Sequence, residues 1–252
     1  MDQTQDRRVS WRRVFGPFPI LVISILVLLL VSFIPLVTSS RGPRRNPLMH
    51  DVKNVGLATH NFLSAHEGHF PPLVPGSESN PAIKWPISFL TSLLPYVDHA
   101  EVYEAIDTQI PWDDPANREA YGTKIGVFAS PYFDDDKTAS GHAIAHLSPN
   151  ARILYMRQPV HIEEVTDGYS ETILIGGIDA SAPPAWGDPA NARDPAQGFA
   201  GGPQALGGVP HGGAAVVFVD GRARILSPEI DPQVARALAT PNVGETISES
   251  EF

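Results

Sequence analysis

Eighteen consecutive residues, Ile20 to Val37, carry no charge, and no other feature constrains this chain as tightly. As a helix the run spans roughly 27 Å at about 1.5 Å per residue, close to the ~30 Å hydrocarbon core of a bilayer. Its polar members, Ser24 and Ser32, have hydroxyls that can bond back to helix carbonyls. Phe15 and Phe18 extend the segment, Pro19 suits a first helical turn, and Pro35 falls at the far end. The apolar run is long for a signal peptide, and Thr38-Ser39-Ser40 is a poor cleavage site. A transmembrane helix over residues 15–37 is therefore expected, with the membrane itself a partner through Ile20 to Val37. Arg7, Arg8, Arg12 and Arg13 precede it, with Asp2 and Asp6, and Arg41, Arg44 and Arg45 follow it. A short N-terminus ahead of a first hydrophobic helix stays inside. Residues 1–14 are thus expected in the cytoplasm and the C-terminal domain outside it. Residues 38–47, TSSRGPRRNP, read as a linker broken by Gly42, Pro43 and Pro47.

The whole chain has a formal net charge of −10. Beyond Asn46, Lys plus Arg falls from 18 to 11 and Asp plus Glu from 28 to 26, leaving a body near −15. Such a surface argues against a nucleic-acid partner. With no cysteine, disulfides, thiolate zinc sites and cysteine nucleophiles are excluded.

Leu48, Val52, Val55, Thr59, Phe62 and His66 follow a 4-3-4-3-4 spacing, which predicts a helix over Leu48 to Ala65. Gly68 and Pro71-Pro72 stop it. Short helices are expected at Pro86 to Leu94, His99 to Ile106 and Asp231 to Ala239. Ile153 to Met156 and Thr172 to Ile175 read as strands. Ala214 to Leu226 reads as two strands around Asp220-Gly221, the composition of a two-residue type I′ turn. Residues 181–210 read as an irregular excursion, and the tail after Thr240 as loose. One helix followed by short strands indicates an α+β domain with an antiparallel sheet.

Several ordered blocks resemble the prepilin-type family that carries a C-terminal H-x9-DG motif, domain of unknown function 1559. They are Lys53-Asn54-Val55-Gly56-Leu57-Ala58-Thr59-His60-Asn61-Phe62 with Gly68-His69-Phe70-Pro71-Pro72, then Leu93-Leu94-Pro95-Tyr96, then Trp112-Asp113-Asp114-Pro115-Ala116-Asn117-Arg118. Val165-Thr166-Asp167-Gly168-Tyr169-Ser170-Glu171-Thr172-Ile173-Leu174 and His211-Gly212-Gly213 through Asp220-Gly221 follow, with Gly244-Glu245 last. The resemblance implies a pilin-like domain over residues 48–247, one amphipathic helix packed on an antiparallel sheet, and a short tail at 248–252. It also implies a membrane-anchored, non-enzymatic envelope protein with no cofactor, partnered by envelope or secretion-system proteins. Family members usually begin with a prepilin peptidase site. Here Gly16 is followed by Pro17, and Leu21 stands where the family has the glutamate used in filament assembly. Leu48 and Ser130 occupy the places of two common family cysteines. Eight residues, not nine, separate His211 from Asp220.

No nucleotide loop, nucleophile elbow or H-E-x-x-H motif is present. The family-motif residues His211, Gly212, Gly213, Asp220, Gly221, Asp167 and Gly168 read as turn and close-approach positions, with no catalytic set and no metal site assigned. Asp134, Asp135 and Asp136 are the weak calcium candidates, against the reading of a solvated acidic turn. His60 and His66, six apart, do not share a helix face. The competing reading is an extracytoplasmic solute- or glycan-binding module, with Trp85, Trp112, Trp186 and Tyr169 as a sugar platform.

Overall fold

Helix α1 spans Pro47–Ala65 and follows the predicted period: Leu48, Val52, Val55, Thr59 and Phe62 are all buried. The computed structural model describes residues 47–71, 85–130, 133, 136–154, 160–178, 183–209 and 212–252. The expected membrane span at 15–37 and residues 38–46 of the expected linker lie outside them, while Pro47, assigned to the linker from sequence, is instead the first residue of α1. Among the described residues, no helix is long and apolar enough to cross a membrane. α1 ends in a left-handed turn at Glu67 (φ +51) and Gly68 (φ +81), where the Gly68 N–H donates to the Leu63 carbonyl at 2.8 Å.

The remaining helices are short. α2 (Phe89–Leu93) begins later than expected because Ser88 caps it, accepting from the Thr91 N–H; a 3₁₀ turn, Leu94–Tyr96, follows. α3 is Ala100–Glu104, α4 Arg118–Tyr121, α5 Ala151–Leu154 and α6 Pro232–Ala239. The strand expected at Ile153 to Met156 is not formed where it is described: Ile153 and Leu154 belong to the helical turn α5.

Four antiparallel strands pair as a meander in the order β1-β2-β3-β4, with β1 at Leu147–Pro149, β2 at Ile173–Gly177, β3 at Ala214–Phe218 and β4 at Ala223–Leu226. Every residue of β2 and β3 is buried, because both faces of the sheet are covered. Ala215, Val217 and Val219 join the core under α1, with Leu48, Val52 and Phe62. Ala214, Val216 and Phe218 join a second core with Val234, Ala235 and Leu238 of α6 and with Phe199 and Leu206 of the irregular excursion. The alternation along β3 thus serves two cores at once. In β2 the register shifts between Ile173 and Ile175, so Leu174 and Ile175 both reach the α1 side. Helix and antiparallel sheet together make the α+β class the sequence indicates.

Gly56 lets α1 settle on β3. A Cβ built there lies 2.8 Å from Val217 Cγ2. Gly56→Leu is expected to destabilise the domain by about 2 kcal/mol, overpacking outweighing the gain in helix propensity. Urea denaturation checks this, and an unchanged midpoint would show that α1 is not seated as described.

Candidate functional site

Of the expected motif residues, Asp167, Gly168, Asp220 and Gly221 come together at one end of the sheet, beginning with the β3–β4 hairpin. Phe218 N–H donates to the Arg222 carbonyl at 2.8 Å, and Gly221 N–H to the Phe218 carbonyl at 2.9 Å. The loop is therefore three residues, Val219-Asp220-Gly221, not the two-residue type I′ turn expected. A type I′ turn needs positive φ at both central residues, and here Gly221 takes it (φ +84) while Asp220 does not. The Asp220 carboxylate accepts from the Arg222 N–H at 2.9 Å and from Arg222 Nε at 2.6 Å.

Arg222 also pairs with Glu249, which it holds below the usual carboxylate range. Arg224 donates to the Phe252 main-chain oxygen at 3.0 Å and lies 5.0 Å over the Phe252 ring. The segment read as a loose tail is thus fastened onto β4. Phe252 also approaches Phe218, with ring centroids 5.6 Å apart.

Asp167 acts at a distance in sequence. Its carboxylate accepts from the Val243 and Gly244 N–H groups, each at 2.8 Å, while its own N–H and that of Thr166 donate to the Pro241 carbonyl. Gly168 follows at φ +116. The Tyr169 carbonyl accepts from the Asp220 N–H at 2.9 Å, joining this loop to the hairpin. His60, from α1, completes the cluster: a Cβ at position 221 would sit 3.6 Å from His60 Nε2, which is buried without a partner. At the other end of β3, Gly213 permits the close approach the sequence suggests, since a Cβ there would lie 2.5 Å from the Leu226 carbonyl oxygen. Gly212 has φ +96, and His211 lies outside the described residues.

Asp167→Ala is expected to lower stability by about 2 kcal/mol, through two lost charge-assisted bonds. Hydrogen exchange should accelerate at the Val243 and Gly244 amides; unchanged protection at both would remove the capping role.

The remaining histidines and Asp136 form no common metal site among the described residues. His66 is exposed and stacks on Phe62 with centroids 3.8 Å apart, its Nδ1 donating to the Phe62 carbonyl. His69 packs against His161, ring centroids 5.0 Å apart, although the two lie 92 positions apart in sequence. His142 and His146 are buried but not on a helix. Burial, then the charge of Arg118, hold His142 below the ordinary imidazole range, with Asp113 opposing. His146 Nδ1 accepts from the Ser130 N–H at 3.0 Å. Among the described residues no three metal-ligating side chains converge. Asp136 is half-exposed, 4.0 Å from Lys124, whereas Asp134 and Asp135 lie outside the described residues.

The supposed sugar platform is divided as well. Trp186 is fully buried beside Tyr121, Trp112 is half-buried against the same ring, and Trp85 and Tyr169 are exposed. Burial pushes the Tyr121 hydroxyl up to about 12; Thr91 opposes this, but its own hydroxyl is engaged by Ser88 at 2.8 Å. A bidentate pair, Arg152 to Asp194 at 2.7 and 2.9 Å, borders a shallow groove with Thr240 and Asn242. Burial raises Asp194, and Arg152 with the Ala196 N–H more than reverses it, leaving the carboxyl below its usual range. The carboxylates of Asp167, Asp220, Asp194 and Glu249 are each engaged by main-chain amides or guanidinium groups.

No curated protein and no solved structure matches the chain. The model of a family described as a protein of unknown function, DUF1559, matches residues 44–201, and the H-x9-DG block lies beyond that stretch. The match spans more than half of the chain and contains most of the ordered blocks that resemble the family, so this chain belongs to the DUF1559 family.

Proposed function

We propose that this chain is a membrane-anchored, non-enzymatic, pilin- or pseudopilin-like envelope protein that acts through protein contacts. The supporting observation is the order of its parts: an uncharged run long enough to span a bilayer, a Pro- and Arg-containing linker, then a 19-residue helix laid on an antiparallel meander. Family membership is consistent with it. The motif side chains favour it over a catalytic reading, because Asp167 and Asp220 are committed to holding loops.

Intact mass of the chain extracted from its native membranes tests the proposal. A full-length mass in the carbonate-resistant membrane fraction is expected. Loss of residues 1–16 would instead point to prepilin-type processing and filament assembly. A chain recovered in the soluble fraction would sink the anchor, and a hydrolytic activity that co-purifies to homogeneity would sink the non-enzymatic reading.

A further inference from the structure

We propose that the outer face of α1 is a self-association surface, on which a second copy of this chain docks around Leu57; this rests on the reading above that the protein acts through protein contacts. The argument begins with charge. The body carries about −15, so two copies repel at long range, least where carboxylates are few. Between Val52 and Ala65 the sequence of α1 contains no carboxylate, and Lys53 is its sole charge. The outward positions there are Lys53, Asn54, Leu57, Asn61 and Ser64.

Leu57 is 61% exposed at the centre of this stripe. A single exposed leucine means little by itself. This one lines a groove of about 360 Å³ together with Asn54, Ala58, Asn61, Tyr96, Val97 and Val127. A projecting apolar side chain and a recess of mixed polar and apolar lining on the same surface allow an isologous contact, in which each copy's Leu57 enters the other's groove. The flanking amides suit the same symmetry, since a carboxamide both donates and accepts and can pair with its own kind. Asp98 also lines the groove, so Lys53 of one copy and Asp98 of the other bring opposite charges to the exchange. The buried side of α1 is already occupied by the sheet, which leaves this face for a partner.

The absence of natural cysteine makes the test clean. Leu57→Cys in the full chain, in its native membranes, is treated with a short bis-maleimide; Val243→Cys, 66% exposed in the loop after α6, is the control. Cross-linked dimer from Leu57→Cys and none from Val243→Cys is expected. In detergent solution, Leu57→Asp should raise the dimer dissociation constant at least tenfold with the thermal midpoint unchanged. The proposal is overturned if Leu57→Cys yields no dimer, if both variants cross-link equally, or if Leu57→Cys captures a different protein in place of its own copy. A dimer that forms at Leu57 in a chain recovered from the soluble fraction would uphold this surface while removing the anchor, so the two failures are distinguishable.

Discussion

Trp186→Ala is expected to lower the unfolding free energy by about 3–5 kcal/mol, the range for deleting a large buried aromatic side chain. Trp186 has no exposed surface and is the largest fully buried side chain among the described residues. Tyr121 lies 4.8 Å from it and Phe128 6.3 Å, centroid to centroid, so truncation opens a cavity between α4 and the loop that carries residue 186. The indole Nε1 donates to the Thr123 carbonyl at 3.0 Å, and that acceptor would lose its partner. The backbone of residue 186 keeps its own bonds, to the Ala143 carbonyl and from Ser88 Oγ, so the loss is of packing and one hydrogen bond rather than of the chain path. Thermal unfolding followed by circular dichroism should show the midpoint falling by roughly 10 °C for a domain of this size. Trp186→Phe should recover about half of the loss, since most of the volume is restored. A change below about 1 kcal/mol would show that the excursion carrying Trp186 is not packed into the core. It would also reopen the sugar-platform reading, which needs this ring at the surface.

Where the apolar period was long, the sequence was legible. Nineteen residues of α1 follow one face, and the β3–β4 hairpin was announced by β-rich runs around Asp220-Gly221. Turn type was not legible, because Asp-Gly composition fits several loops and the hydrogen bonds of Phe218 decide between them. Ile153 to Met156 misled because a short apolar run is compatible with strand or helix, and tertiary contacts chose. The first strand, Leu147–Pro149, at one edge of the sheet, has almost no strand signal of its own; its pairing with β2 gives it its conformation. The chain after Thr240 reads as a loose tail. Its order comes from Asp167, Arg222 and Arg224, which lie far away in sequence. The same distance hid the site: each motif block was visible, but that Asp167 reaches Gly244 and that Tyr169 reaches Asp220 are facts of the fold.

Asn150 illustrates this most sharply, and its replacement carries the second large effect. No motif drew attention to it, yet it is 1% exposed and its side chain is fully used. Nδ2 donates to the Ile173 carbonyl at 2.7 Å and to the Ala239 carbonyl at 2.8 Å, while Oδ1 accepts from the Arg152 N–H at 2.9 Å. One carboxamide therefore ties the end of β1 to the start of β2, to the last turn of α6 and to the turn that opens α5. That last bond is also the local reason why α5 is a helical turn rather than a strand: an Asx-type bond two residues ahead turns the chain where extended pairing would otherwise continue. Asn150→Leu keeps the approximate volume but strips two buried carbonyls and one part-buried N–H of their partner. At about 1–3 kcal/mol for each orphaned group, partly relieved by local shifts, the net loss is expected near 4 kcal/mol. Asn150→Asp separates shape from chemistry. It preserves the acceptor for Arg152 but turns both donated bonds into oxygen facing oxygen, so it should be at least as damaging at neutral pH. Chemical denaturation of both variants, with hydrogen exchange at Arg152, distinguishes the contributions. Protection at Arg152 should survive in Asn150→Asp and vanish in Asn150→Leu. Equal stability of the two variants and the parent would mean that the ends of the two cores are not joined through this residue.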